Sequence, residues 1–266
     1  MMKACTMRIG FFGAGKMAEG ILSAMSDRSS VIVSDVNPAR LAEIAKTYGV
    51  AATGDVREVA KSASLIFLAV RPQDAATVAE AVKPVLKAGQ TIVSIVAGKR
   101  LAVLRRLFGR KPGLVRVMPN LALRAKAGMC AICAPKGTPP KAVKAVRDIL
   151  SAAGEAVVLP EKDFDAVTAL SGSGPAYFAY MEEAMAEAGV ALGLKPAAAR
   201  LLAEQTMYGT AKFLRESGMP LRPFIEGVCT KGGTTAAGMA VMDTSDFKRV
   251  VAGTLKAAAE RSRELA

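Results

Sequence analysis

Histidine and tryptophan are absent from this chain of 266 residues, and cysteine and tyrosine occur only four times each. The absence of imidazole excludes Ser-His-Asp and Cys-His triads, HExxH zinc enzymes and dehydrogenases in which a histidine orients the substrate. Any reaction that this protein catalyses must therefore use other groups to hold substrates and move protons.

Long apolar runs are also absent, because none reaches the roughly 20 residues of a membrane-spanning helix. The longest uncharged stretch, residues 166–181, is interrupted by the sequence SGSGP. Lys3 precedes the apolar residues 9–12, but this apolar segment is too short for a signal peptide. We therefore expect a cytoplasmic protein with no membrane partner.

The few cysteines do not provide a disulfide framework for a chain of this length. Cys130 and Cys133 form a CxxC motif within the candidate strand 129–134. Residues i and i+3 of a strand point to opposite faces, and no second CxxC or histidine is present to complete a zinc site. We expect no bound metal.

Basic residues outnumber acidic ones by 36 to 23, which gives a net charge of +13. A nucleic-acid site typically places such charges beside aromatic residues. The densest basic segment, residues 99–116, contains Phe108 as its only aromatic residue. This pattern favours a solvated helix face over a nucleic-acid partner, and the positive field also suits small anionic ligands such as a dinucleotide.

Residues 1–160 alternate between short apolar runs and helical patterns. The run LIFLAV at 65–70 predicts a strand that is buried on both faces, which is typical of a mostly parallel sheet. Strands that alternate with helices predict a doubly wound α/β domain. The candidate strands are 8–12, 31–34, 65–69, 91–95, 114–117, 129–134 and 156–159, and the candidate helices are 16–26, 38–48, 73–87, 101–108 and 141–153.

Residues 161–266 form a second predicted domain, which is all helical. Pro175 and Pro196 suit the first turn of a helix, and Gly193 and Gly218 suit helix ends. Helices without a sheet need another apolar surface, so we expect contacts with the first domain and with a second subunit. The candidate helices are 164–170, 175–191, 196–216, 221–228, 235–242 and 246–265.

The sequence IGFFGAGKMA reads as a strand, a Gly-x-Gly-x-x-Ala turn and a helix start. Gly13 permits the tight turn, Gly15 lets the backbone approach a pyrophosphate, and Ala18 lets the helix pack on the strand. The first helical residues, Lys16 and Met17, offer free N–H groups to phosphates. Because this turn follows the first strand, it predicts a Rossmann-like dinucleotide site.

Asp35 lies 20 residues after Gly15, at the end of the second candidate strand. A carboxylate there would accept hydrogen bonds from the adenosine ribose and disfavour a 2′-phosphate. Ser34, Asn37 and Arg40 could instead hold a phosphate. Asp35 thus favours NADH, Arg40 favours NADPH, and the sequence leaves the choice open.

The turn Ala69-Val70-Arg71-Pro72 ends the candidate strand 65–69. Loops at the carboxyl ends of parallel strands face the ligand crevice, so we assign these four residues to the cofactor site. Pro72 is predicted to begin the next helix. The alternative to a cofactor site is an ordinary strand–helix turn.

Two segments of the helical half are predicted to be flexible turns that carry glycines and hydroxyl groups and open a helix: SGSGPAY at 171–177, which contains Ser173, and TKGGTT at 230–235. Either one alone could be explained by helix capping. N–H groups and hydroxyls at two helix starts beside a dinucleotide domain favour a site for a substrate carboxylate.

These motifs also resemble one family over nearly the whole chain. The matching segments, in order, are 9–18, LAVRPQ at 68–73, VMPN at 117–120, 167–177, GGTTAAG at 232–238 and AERSREL at 259–265. The chain is similar to pyrroline-5-carboxylate reductases, and the SGSGPAY and GGTT segments are more specific than the dinucleotide motif.

The resemblance implies hydride transfer from NADPH or NADH to the C=N carbon of 1-pyrroline-5-carboxylate, which gives L-proline. It implies a homodimer of interlocking C-terminal helices, with dimers assembling into a larger ring. It places the substrate carboxylate at Gly232, Gly233 and Thr234, puts Thr235 near the imine nitrogen, and assigns Asn120 of VMPN to the cofactor site.

Two positions depart from that family's usual pattern. Lys231 stands where proline is usual, and Val56 lies near a position where asparagine commonly contacts the ribose. Because a cyclic iminium is already electrophilic, its reduction depends on positioning more than on acid–base strength. We therefore expect Thr235 to orient the ring nitrogen without donating a proton.

Two other classes of protein are alternatives. β-Hydroxyacid dehydrogenases also join a Rossmann domain to helices, but they use a catalytic lysine on a helix after the linker. No lysine occurs between Lys162 and Lys195. A non-catalytic dinucleotide-sensing or nucleic-acid-binding protein would leave both glycine–hydroxyl segments with only capping roles.

Overall fold

One eight-stranded sheet forms the N-terminal part of the chain in the computed structural model, which describes residues 7–265. The strand order is β3-β2-β1-β4-β5-β6-β7-β8, and only the β6–β7 pair is antiparallel. The mostly parallel, doubly wound sheet is therefore confirmed. The strands are β1 (Ile9–Phe12), β2 (Val31–Ser34), β3 (Ala51–Thr53), β4 (Leu65–Leu68), β5 (Thr91–Ser94), β6 (Gly113–Pro119), β7 (Gly128–Cys133) and β8 (Gly154–Val158).

Both faces of this sheet are covered by helices. Neighbouring residues of a strand point to opposite faces, so Phe11 and Phe12 enter two different apolar cores. The Phe11 ring stacks on Phe67 with centroids 4.9 Å apart. The helices are α1 (Lys16–Ala24), α2 (Pro38–Tyr48), α3 (Val56–Ser62), α4 (Ala75–Val82), α5 (Leu101–Phe108) and α6 (Pro140–Ser151).

Helix α4 is shorter than the predicted helix 73–87. It begins at Ala75 because Pro72 lies in a turn closed by the Asp74 N–H, which donates to the Arg71 carbonyl. It ends at Val82, two residues before Pro84, which has no N–H to donate to the Glu80 carbonyl. The prediction that Pro72 begins the helix was wrong.

Strand β3 and helix α3 are not among the predicted elements. Strand β3 has only three residues and lies at the sheet edge, so no buried apolar run marks it. Helix α3 did have a signal: Asp55 accepts from the Arg57 N–H at 2.8 Å, and Glu58 follows three residues later. This is the spacing of a capping box.

After β8 the described residues contain no strand, as predicted. A 3₁₀ turn (Glu161–Asp163) leads into α7 (Phe164–Val167) and a π-helix (Thr168–Gly172). The following helices are α8 (Gly174–Ala191), α9 (Pro196–Ser217), α10 (Leu221–Val228), α11 (Thr234–Thr244) and α12 (Phe247–Glu264). Among residues 7–265, no helix is long and apolar enough to cross a membrane.

The chain forms two compact units. The first extends to Ser173 and also includes the segment from Ala258 onward, and the second is Gly174–Ala257. Within the first unit, the Ser262 hydroxyl donates to the Asp165 carboxylate at 2.7 Å, and Arg263 lies 3.9 Å from the same carboxylate. The end of α12 is therefore part of the sheet-containing unit.

Candidate active site

The turn after β1 requires glycine at position 13. Gly13 has a φ of +98°, and its N–H donates to the Ser34 carbonyl at 2.7 Å. A Cβ atom there would lie 2.6 Å from the Ala69 carbonyl oxygen. Both the backbone conformation and the close contact with the turn after β4 therefore exclude a side chain.

Gly15 and the start of α1 form a cradle for an anion. A Cβ on Gly15 would meet no protein atom nearer than 3.9 Å, so packing alone does not require glycine there. The Glu19 N–H bonds to the Gly15 carbonyl, which leaves the N–H groups of Lys16, Met17 and Ala18 without intrahelical partners. These features fit a dinucleotide pyrophosphate.

Asp35 is fixed where β2 ends. Its Oδ2 accepts from the Ala14 N–H at 2.8 Å, and its Oδ1 accepts from the Asn37 N–H at 2.9 Å. The Asn37 side chain in turn caps α2 by accepting from the Ala39 and Arg40 N–H groups. The acidic side chain is therefore held against the glycine turn by backbone groups.

Arg40 is engaged by three oxygen acceptors. Its Nε donates to the Ala14 carbonyl at 2.8 Å, and its two terminal nitrogens pair with Glu19 and Glu43 at 2.7 Å each. The hydrogen bond from Arg40 holds the pKa of Glu19 below its ordinary value, so this carboxylate is ionised at neutral pH. A cleft of about 510 Å³ is lined by Ala14, Gly15, Lys16, Glu19, Asp35, Asn37, Arg40, Glu43 and Arg124.

Ser34 does not line this cleft. Its side chain is completely buried, and its hydroxyl donates to the Phe11 carbonyl at 3.1 Å. We therefore assign Ser34 to holding β2 against β1 and not to contacting a phosphate.

The other predicted cofactor residues lie where strands end. Ala69 and Val70 are half-buried beside the glycine turn, whereas Arg71 and Pro72 are exposed, and Arg71 pairs with Asp74. Asn120 follows β6, and its Oδ1 accepts from the Met129 N–H at 3.1 Å. The structure brings the Ala69 turn and the Gly13 turn into direct contact.

Ser173 follows a π-helix and does not lie in the flexible turn that we expected. The Ser173 N–H donates to the Thr168 carbonyl five residues earlier, and the Ser171 hydroxyl donates to the Val167 carbonyl. Met118 packs against Gly172, since a Cβ atom at that position would lie 2.5 Å from the Met118 methyl carbon. Single π-turns inside helices often mark functional sites.

The GGTT segment begins α11 in the second unit. Gly232 has a φ of +73°, and Gly233 is the N-cap, with a Cβ position 2.4 Å from the Thr230 hydroxyl. The first N–H to bond back into α11 is that of Ala237, so the N–H groups of Thr234 and Thr235 are free of intrahelical partners. Both threonines are exposed, which suits an anion-binding helix start.

Cys130 and Cys133 are both buried, and they pack in different apolar clusters on β7. Burial raises the pKa of the Cys130 thiol to about 11, so it is protonated at neutral pH. Among residues 7–265, no three side chains of the metal-binding types converge on one point.

Comparisons with known proteins match both halves of the chain. The family "Pyrroline-5-carboxylate reductase dimerisation" matches residues 161–265, and "NADP oxidoreductase coenzyme F420-dependent" matches residues 8–98. A pyrroline-5-carboxylate reductase of Synechocystis sp. is 37% identical over 268 residues, which cover 98% of each chain.

Solved structures agree with these matches. A pyrroline-5-carboxylate reductase from Coxiella burnetii is 29% identical with a TM-score of 0.94, over 98% of this chain and 99% of that one. The Plasmodium falciparum enzyme, solved with NADP bound, is 28% identical with a TM-score of 0.85, over 98% of each chain. The full-length matches and the glycine turns at their expected places show that the chain belongs to the pyrroline-5-carboxylate reductase family.

Proposed function

We propose that this protein reduces the C=N bond of 1-pyrroline-5-carboxylate to give L-proline, with NADH or NADPH as the cofactor. The observation that carries the proposal is the start of α11. There, free N–H groups and exposed threonine hydroxyls follow a glycine pair, as binding of a small carboxylate requires.

The first unit would hold the cofactor. The free N–H groups at Lys16, Met17 and Ala18 would bind the pyrophosphate, and Gly15 leaves room for it. Asp35 and Asn37 line the cleft for the adenosine ribose, and Ala69, Val70, Arg71, Pro72 and Asn120 lie at neighbouring strand ends. When bound, the cofactor supplies the hydride.

The second unit would hold the substrate carboxylate at Gly232, Gly233 and Thr234. Thr235 would accept or donate a hydrogen bond at the ring nitrogen and so orient the imine. Ser173, at the end of the π-helix in the first unit, stays a predicted substrate residue. None of these groups is a strong acid or base, which is compatible with an electrophile that is already activated.

Steady-state kinetics with 1-pyrroline-5-carboxylate and each reduced cofactor test the reaction directly. We expect saturable oxidation of the cofactor that yields proline, and proline-dependent reduction of the oxidised cofactor at high pH. Folded protein that is inactive in both directions with both cofactors would favour the dinucleotide-sensing alternative.

Thr235→Ala is expected to lower kcat/KM for the imine by at least tenfold, about 1.4 kcal/mol of transition-state stabilisation. The alanine removes the hydroxyl but leaves the helix start intact, and Thr235→Ser should recover most of the activity. Thr244→Ala is the matched control, because that hydroxyl donates to the Ala240 carbonyl at the far end of α11. Unchanged kinetics in Thr235→Ala would exclude the assigned role.

We also propose that the protein is a homodimer through residues 161–266, with residues 1–160 forming the dinucleotide-binding domain, and that dimers assemble into a larger ring. The second unit exposes large apolar side chains, among them Tyr180 at 73%, Leu192 at 88% and Leu201 at 65%. Apolar surface of this extent on one unit is typical of an interaction site.

Light scattering after size exclusion is expected to give a mass of at least twice the 27.6 kDa of one chain. A mass equal to a larger even multiple of one chain would support the ring of dimers. Leu201→Glu should lower the mass, since a charge in an apolar interface is costly, whereas Leu121→Glu in the first unit should not. A 27.6 kDa particle of the wild-type chain at micromolar concentration would contradict the proposal.

A further inference from the structure

We propose that this protein binds NADH in preference to NADPH, because Asp35 is fixed in the cleft beside the glycine turn while Arg40 is engaged by two carboxylates. This inference rests on the proposed function, which assigns a nicotinamide cofactor to that cleft. Sequence motifs leave the choice open, since Asp35 and Arg40 favour opposite cofactors. The contacts of Arg40 decide between them.

The Asp35 carboxylate is an acceptor held in place. The N–H groups of Ala14 and Asn37 bind its two oxygens at 2.8 and 2.9 Å. An ionised carboxylate has about four lone-pair positions, so further acceptor capacity remains for the hydroxyl groups of a ribose. A phosphate on that ribose would instead bring a second anion toward a carboxylate that cannot turn away.

Arg40 is the cation that could neutralise the charge of a 2′-phosphate, but its guanidinium is already paired with Glu19 and Glu43. Each of its three nitrogens donates one hydrogen bond, to the Ala14 carbonyl, to Glu19 and to Glu43, and only 20% of its side chain is exposed. The N–H groups that remain are on the two terminal nitrogens, which these carboxylates hold in place. The Tyr48 hydroxyl also donates to Glu19, which fixes this pair further. Release of Arg40 toward a phosphate would break two ion pairs at 2.7 Å.

The whole cleft carries no excess of positive charge. Its three cations, Lys16, Arg40 and Arg124, are matched by the three carboxylates of Glu19, Asp35 and Glu43. Arg124 is more exposed than Arg40, with 47% of its side chain exposed, and lies 3.9 Å from Glu19. The net charge of +13 therefore lies elsewhere on the molecule and does not create a 2′-phosphate site here.

Calorimetric titration of the wild-type protein with NADH and with NADPH, without substrate, tests the inference. We expect the Kd for NADH to be at least tenfold lower than that for NADPH. Equal or tighter binding of NADPH would overturn the inference and leave the proposed reaction standing. Failure of both cofactors to bind to folded protein would instead overturn the cofactor assignment itself.

Two variants test whether Asp35 and the ion pairs of Arg40 cause the preference for NADH. Asp35→Ser should raise the affinity for NADPH at least tenfold and lower that for NADH, with circular dichroism confirming the fold. Glu43→Gln acts at a side chain that is 60% exposed, and it should raise NADPH affinity severalfold by releasing one end of Arg40. Asp148→Asn removes one negative charge from the exposed face of α6 and should change neither affinity. An unchanged NADPH affinity in both cleft variants would contradict the inference.

Discussion

Gly13→Ala is expected to weaken binding of the nicotinamide cofactor at least a hundredfold, roughly 2.7 kcal/mol. The added Cβ would lie 2.6 Å from the Ala69 carbonyl oxygen, a backbone atom that can move only with its turn. The φ of +98° is in addition strained for alanine. The two turns that meet at the cofactor site would therefore separate.

Calorimetric titration with reduced cofactor measures this effect, and thermal unfolding reports the accompanying loss of stability. Gly49→Ala is the control, because Gly49 also has a positive φ, of +65°, but a Cβ there would meet no atom of residues 7–265 within 4 Å. It should lower stability modestly and leave cofactor affinity unchanged. Wild-type affinity in Gly13→Ala would show that the turn tolerates a side chain, contrary to its geometry.

Arg116→Ala is expected to reduce the free energy of unfolding by about 3–5 kcal/mol. The Arg116 side chain is only 5% exposed, donates to Glu161 at 2.9 Å and lies over the Phe164 ring at 4.7 Å. Glu161 Oε1 also accepts from the Leu101 N–H at 2.7 Å. Removal of the arginine would leave a carboxylate without its cation at the junction of β6, α5 and the 3₁₀ turn.

Urea denaturation at one fixed protein concentration measures this loss, because the stability of an oligomer depends on concentration. Lys144→Ala is the matched control, since its pair with Asp148 is 77% and 58% exposed and such pairs contribute at most about 1 kcal/mol. Arg116→Met keeps an apolar stem over Phe164, so its free energy of unfolding should fall less than that of Arg116→Ala. Equal urea midpoints for Arg116→Ala and Lys144→Ala would show that the pair of Arg116 with Glu161 does not stabilise the fold.

Local chemistry explains which parts of the fold could be predicted. The run LIFLAV predicted a strand buried on both faces, and β4 (Leu65–Leu68) has this property because it is a central strand whose side chains enter the apolar cores on both faces of the sheet. The predicted helix 38–48 is confirmed by α2 (Pro38–Tyr48), which Asn37 caps. Strand β3 was missed because an exposed three-residue edge strand carries no apolar pattern.

The candidate site also has parts that the sequence predicted and parts that it did not. The glycine spacing predicted the cradle at Gly13 and Gly15, since a tight turn and a free helix start are properties of a few neighbouring residues. The π-helix before Ser173 could not be predicted, because the contact of Gly172 with Met118 joins residues 54 positions apart. The structure therefore has a π-helix up to Gly172 where a flexible turn was predicted.

By itself, the sequence determined the absence of imidazole chemistry, the dinucleotide turn and the glycine–threonine helix start. Each of these depends on residue type and short-range spacing. Only the tertiary structure decided that Ser34 is buried, that the end of α12 joins the sheet-containing unit, and that Arg40 pairs with Glu19 and Glu43. The reason is that burial and charge pairing depend on which distant residues meet, and Glu19 meets Arg40 only after β1, α1, β2 and α2 have packed together.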